Sequence, residues 1–166
     1  MLEGHAKRMT AEGRLIQSTH PVPGAEHGTF FSPTAFEIDS LSRLQREVFG
    51  PILHVVRYGA DRLDDVIEAV NGTGYGLTLG IHSRIDSTVE YVQRRLRVGN
   101  AYVNRNITGA VVGVQPFGGE GLSGTGPKAG GPRYLHRFAT ERTITIDTTA
   151  AGGNASLMSM GEEMPV

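Results

Sequence analysis

The stretch VQPFGGEGLSGTGPKAGGP, Val114 to Pro132, joins many glycines to one lysine, the composition of a loop that could cradle a phosphate. A P-loop needs G-x-x-x-x-G-K-[ST], with the lysine directly after the last glycine and a hydroxyl beside it for magnesium. Gly121 and Gly126 have that spacing, but Pro127 precedes Lys128 and Ala129 takes the hydroxyl position. Pro127 also removes an N–H from any anion cradle. A dinucleotide fingerprint requires a strand directly before its glycines and a helix directly after. Gly124, Gly126 and Gly130 give only a loose G-x-G-x-x-x-G with a proline inside. The stretch is therefore read as part of a site, because long glycine-rich loops in compact domains tend to carry function, but not as a phosphate cradle.

Other residues able to do chemistry are sparse. The six histidines include no close pair at metal-ligand spacing, so no metal site is expected, and His54 and His82 read as satisfied sheet residues. No G-x-S-x-G elbow presents a serine nucleophile. The cysteine count is zero, which excludes disulfides, thiolate metal sites and a cysteine nucleophile within this sequence. Glu47, in REVFGP, stands just before an apolar run, where open α/β sheets often place ligand contacts. By itself it reads first as a helix-end or solvated carboxylate.

The elements that must position these residues follow from periodicity. The first dozen residues read as a helix, with Leu2, Ala6 and Met9 on one face and Gly13 as its end. Short strands are expected at GRLIQS and around TFFSPTAFEI, where Pro33 suits an edge or a bulge better than a central strand. PILHVVRY, from Pro51 to Tyr58, reads as a strand covered on both faces. Leu63, Val66, Ile67 and Val70 mark one helix, and Ile85, Val89, Val92 and Leu96 mark a second. Ser83 with Asp86 resembles a capping box for the second, and Gly99 is its expected close. YGLTLGIHS and GNAYVNR are strand-like, so the order is βαβαβ and a parallel sheet with crossover helices is expected. PRYLHRF reads as a short helix, ERTITIDTT as a half-exposed strand, and residues 151–166 as a loose tail.

The chain has 166 residues, a formal net charge of −1 and 39% hydrophobic residues, which fits one ordinary domain. Such a balance offers no footprint for nucleic acid or an anionic membrane. No apolar run is long enough for a membrane helix and no signal peptide opens the chain, so a cytoplasmic protein is expected.

REVFGP, NGTGYGLTLGIHS, VGNAYVNR and QPFGGEGLSGTG follow one another in the order and spacing of aldehyde dehydrogenases. The longer wording YVNRNITGAVVGVQPFGGEGLSGTGPKAGGP resembles the 1-pyrroline-5-carboxylate dehydrogenase module of the bifunctional proline utilisation A group. The likeness runs to about Met160 and concerns the C-terminal part of that module. It implies an α/β fold: the back half of an aldehyde dehydrogenase catalytic domain over residues 1–138, an oligomerisation strand over 139–150 and a tail over 151–166.

The resemblance also implies roles. Glu47 would accept the hydroxyls of the nicotinamide ribose, with Phe49 packed beside it. Gly109 and Ala110 would form an anchor loop whose N–H groups bind the substrate α-carboxylate, and Phe117 would line the aldehyde tunnel. The implied reaction oxidises L-glutamate γ-semialdehyde to L-glutamate with NAD. FAD would enter only with an upstream proline dehydrogenase module. Residues 139–150 would pair with a partner subunit in a homo-oligomer. In the family a cysteine thiolate attacks the aldehyde and a Rossmann-type domain holds the cofactor phosphates. With neither in this sequence, the expectation is a C-terminal fragment, inactive and poorly soluble alone. The alternative is a non-catalytic remnant serving as an oligomerisation or binding module.

Overall fold

His5 and Met9 are one helical turn apart, and they are the buried residues of helix α1, Leu2–Glu12. The computed structural model describes residues 1–20, 23–111 and 113–147. Helix α1 ends at Gly13, whose backbone is extended rather than left-handed (φ −142°). Glycine is needed there because a Cβ would stand 2.6 Å from the carbonyl oxygen of Glu37.

The chain then enters a three-stranded sheet of β1 (Arg14–Ser18), β2 (Thr34–Ile38) and β3 (Ile52–Val56), in that spatial order. Strands β1 and β2 are antiparallel, with a bulge between Leu15 and Gln17, while β2 and β3 are parallel and in continuous register. Phe36 and Ile38, on one face of β2, join Met9 in the first core cluster, flanked by Ala6, Leu44, Ile52 and Val56. Glu37, on the other face, links the strands by pairing with Arg14 and with Arg57. Those contacts, the Arg14 hydrogen bond foremost, hold its carboxyl below the usual range.

Two expectations change here. β2 is the central strand, not an edge. Pro33 lies just ahead of it, so the missing N–H falls outside the ladder, and the Pro33 carbonyl accepts from Thr19 N–H at 3.0 Å. β3 is an outer strand covered on one face rather than both, and Leu53 remains 61% exposed.

After a 3-10 turn at Ala60–Arg62, helix α2 spans Leu63–Gly72. A short strand β4 (Tyr75–Gly76) and strand β5 (Thr78–Ile81) lead into helix α3, Asp86–Arg95, and strand β6, Asn100–Val103. β5 and β6 pair in parallel, so β5–α3–β6 is one of the expected crossover units. Ile67, Ile81 and Val92 form the second core cluster, with Leu63, Leu79, Val89, Tyr91 and Leu96 around it. The expected single parallel sheet is instead divided: β2–β3 and β5–β6 belong to different sheets among the described residues.

Side-chain amides close this unit. Asn71 donates to Arg95 O at 2.9 Å and accepts from Arg97 N–H at 3.0 Å, stapling the ends of α2 and α3 together. Asn104, with φ 53°, both donates to and accepts from the Ser83 backbone at 3.0 Å. Ser83 does not cap α3. Its hydroxyl accepts from Ile85 N–H and Ile85 itself occupies the cap, so the helix starts later than the capping-box reading places it. The helix also closes at Leu96, before Gly99.

The glycine-rich segment contributes β7, Glu120–Gly121, which pairs antiparallel with β4 in a separate two-stranded sheet. PRYLHRF forms a 3-10 turn at Tyr134–Phe138. ERTITIDTT carries no strand over its described residues 141–147, where Ile144 and Ile146 are 73% and 77% exposed. Residues 148–150 of the expected strand and the tail at 151–166 lie outside the described residues. Among the described residues no helix is long and apolar enough to cross a membrane.

Candidate active site

Strand β6 organises the site. Asn100 and Tyr102 are two residues apart and so share one face of it. Tyr102 is buried and its hydroxyl donates to the Gly109 carbonyl at 3.3 Å, while the Arg105 guanidinium lies 4.6 Å from its ring centre. The loop is closed from its far side by Gln115, whose N–H donates to Val111 O at 2.7 Å and whose side chain accepts from Val111 N–H at 3.3 Å.

Gly109 sits at φ +76°, a left-handed conformation that glycine adopts at little cost. A Cβ there would meet nothing within 4 Å, so the space over this backbone is open. The N–H groups of Gly109 and Ala110 have no acceptor among the described residues. Adjacent N–H groups held open by fixed carbonyls are the elements of an anion site, and small residues let a carboxylate approach them.

Asn100 holds the next loop. Its carboxamide donates to Pro116 O at 3.0 Å and accepts from Gly118 N–H at 3.2 Å, flanking Phe117 on both sides. The Phe117 N–H and C=O both pair with Ala129, at 3.0 and 2.9 Å. Lys128 settles the question its neighbours raise. Its ammonium donates to Gly99 O and to Asn100 Oδ1, so it is engaged inside the fold rather than offered to a phosphate. Gly99 permits this packing, since a Cβ would lie 1.8 Å from Gly118 O.

Glu47 and Phe49 lie in the other half, between a 3-10 turn at Leu41–Arg43 and β3. Leu2 of α1 packs on this segment, close enough that a Cβ on Gly50 would come within 2.4 Å of it. Glu47 is exposed and has no hydrogen-bond or ion-pair partner among the described residues; Phe49 is 83% exposed. A carboxylate with both oxygens open can accept two hydroxyl hydrogen bonds. The groove of about 440 Å³ next to this segment is lined by Gly50, Pro51 and Leu53 but not by Glu47 or Phe49.

β6 thus brings Gly109, Ala110 and Phe117 under one strand, whereas no hydrogen bond among the described residues joins them to Glu47 or Phe49. Sequence reasoning missed Asn100, Tyr102, Gln115 and Lys128. The first two carry a faint signal, polar-tipped residues alternating in NAYV, but their partners are fixed only by the fold.

The "Aldehyde dehydrogenase family" profile matches residues 2–144, and the chain belongs to that family. It is 57% identical over 143 residues to the bifunctional protein PutA of Rhizobium meliloti, covering 86% of this chain and 12% of that protein. A crystal structure of Bradyrhizobium japonicum proline utilization A (D779W mutant) superposes with TM-score 0.80 at 59% identity, over 90% of this chain and 15% of that one. A Thermus 1-pyrroline-5-carboxylate dehydrogenase with bound NAD superposes with TM-score 0.68 at 40% identity, over 83% of this chain and 28% of that one. The chain therefore spans between about an eighth and about a quarter of these relatives. The family match ends at residue 144, short of the extent to Met160 expected from motifs.

Proposed function

We propose that this chain supplies the aldehyde-carboxylate site and the nicotinamide-ribose contact of an NAD-dependent dehydrogenase that converts L-glutamate γ-semialdehyde to L-glutamate. The observation that carries the reading is the pair of open N–H groups at Gly109 and Ala110, fixed by Tyr102 and Gln115, in a chain similar to proteins named 1-pyrroline-5-carboxylate dehydrogenase.

In this reading Gly109 and Ala110 donate to the α-carboxylate and set how far the substrate enters. Their N–H dipoles are preorganised, so little rearrangement accompanies binding. Phe117 packs against the aliphatic chain and excludes water from the aldehyde end. Glu47 accepts both ribose hydroxyls, and Phe49 covers the apolar side. NAD, when bound, supplies the two-electron oxidant. The attacking thiolate belongs to sequence other than this chain, which contains no cysteine, so this chain works as one part of a larger active site. The exposed Thr–Ile alternation at 141–147 supports pairing with a partner subunit in a homo-oligomer.

The test is a chimera in which residues 1–147 replace the matching segment of the Rhizobium protein. Glu47→Gln should raise KM for NAD by about 10- to 100-fold, the loss of a charged hydrogen bond worth roughly 1.5–3 kcal/mol, with aldehyde KM unmoved. Gly109→Ala should raise aldehyde KM by about tenfold, from the roughly 1–2 kcal/mol cost of a Cβ in the left-handed region, with NAD KM unmoved. Equal effects of both variants on both substrates would contradict the assignment.

A further inference from the structure

Phe117 is held by its neighbours more tightly than a loop residue requires. Both of its backbone groups pair with Ala129, and the peptide groups on either side of it bond to one side chain, Asn100. That side chain is itself fixed. Its Oδ1 receives Gly118 N–H and the Lys128 ammonium, at 3.2 and 3.3 Å, and the same ammonium reaches Gly99 O, one residue before Asn100. The carboxamide is thereby oriented: Oδ1 faces two donors and Nδ2 faces Pro116 O, so the opposite flip would set donors against donors. Asn100 and Lys128 are both half-buried, where an unmatched polar group is costly.

We infer that Asn100 and Lys128 are positioning residues for Phe117: the lysine orients the asparagine, and the asparagine fixes the extended Pro116–Gly118 segment that presents the ring. The device rests on the reading of Phe117 as a wall of the aldehyde site, and it adds to that reading the two residues that set the wall. Neither touches substrate. The lysine is placed by its donors, because a side chain without N–H groups would leave both Gly99 O and the second lone pair of Asn100 Oδ1 without a donor. Arginine can restore donors there, methionine cannot. Aspartate at position 100 keeps the acceptor for Gly118 and Lys128 but cannot donate to Pro116 O.

The experiment is amide hydrogen exchange and aromatic NMR on the full isotope-labelled chain, comparing Asn100→Ala, Asn100→Asp, Lys128→Met and Lys128→Arg. Asn100→Ala and Lys128→Met should speed exchange at Phe117, Gly118 and Ala129 by about tenfold or more, while the β5–β6 ladder keeps its protection. Asn100→Asp should speed Phe117 and Ala129 but spare Gly118, and Lys128→Arg should restore most of the protection. The Phe117 ring resonances should move in the two disruptive variants while those of the core residue Phe36 stay in place. Unchanged exchange at these amides would overturn the inference. So would a loss spread equally over the β5–β6 ladder, or an arginine variant no better than methionine. The readout needs neither ligand nor turnover, so an inactive chimera would leave this result standing, and a failed clamp would leave the dehydrogenase reading standing.

Discussion

At the residue scale, the contact that couples helix to sheet most directly is a pair of histidines 49 positions apart. His5 Nε2 and His54 Nε2 are 2.9 Å apart, and an Arg8 guanidinium nitrogen stands 3.5 Å from His5 Nδ1. Arginine can only donate, so His5 accepts at Nδ1, carries its proton on Nε2 and donates to His54. Either ring gaining a second proton breaks this arrangement. Burial, then Arg8 and Arg46, lower the pKa of His5, against a smaller opposing effect of Glu12; burial, then His5 and Arg8, lower that of His54. With folded values below the ordinary 6.5, the unfolded chain takes up protons first as pH falls. The stability contributed by the pair is therefore complete above about pH 6.5 and is lost as pH falls through the lowered folded values. Thermal unfolding from pH 8 to 5 should show Tm falling below that point, and His5→Leu/His54→Leu should flatten the profile; an unchanged slope would refute the account. None of this pair was legible in the sequence, where His54 reads only as a satisfied sheet residue. Glu47, Phe49, Gly109, Ala110 and Phe117 became candidates through motif wording alone, since a solvated carboxylate and a functional one look alike in a single sequence.

At the scale of elements, the three helices and the β5–α3–β6 unit were readable because apolar spacing reports burial directly. Strand order was not, because an outer strand such as β3 has the same apolar composition as a central one. Pro33 misled for a related reason: its cost depends on whether it stands inside the ladder or one residue outside. Glycine positions were visible in the sequence, but the reason for each was not; Gly13 and Gly99 serve close approach, Gly109 a left-handed turn. Gly99→Ala should therefore destabilise the β4–β7 and β5–β6 region towards the upper end of the roughly 1–3 kcal/mol typical of overpacking, read as a lower urea midpoint. Phe36 is 1% exposed at the centre of the first cluster. Phe36→Ala should cost about 3–5 kcal/mol, enough to unfold that sheet, and a midpoint unchanged by it would contradict the packing described.

At the scale of the molecule there are two modest core clusters and two groups of candidate residues, Glu47 with Phe49 and Gly109–Ala110 with Phe117, which share no hydrogen bond among the described residues. Leu53 on β3, Phe49 and the Ile144–Ile146 segment leave apolar surface uncovered, as suits a chain spanning a small part of its relatives. In the proposed reading the first group meets NAD and the second the aldehyde, and the thiolate comes from outside this cysteine-free sequence. The most direct measurement is NAD reduction by the chimera carrying residues 1–147 in the Rhizobium protein, with L-glutamate γ-semialdehyde as substrate. The account predicts turnover within about tenfold of the unsubstituted protein, a barrier change below about 1.4 kcal/mol. A chimera that folds and binds NAD yet does not oxidise the aldehyde would contradict it.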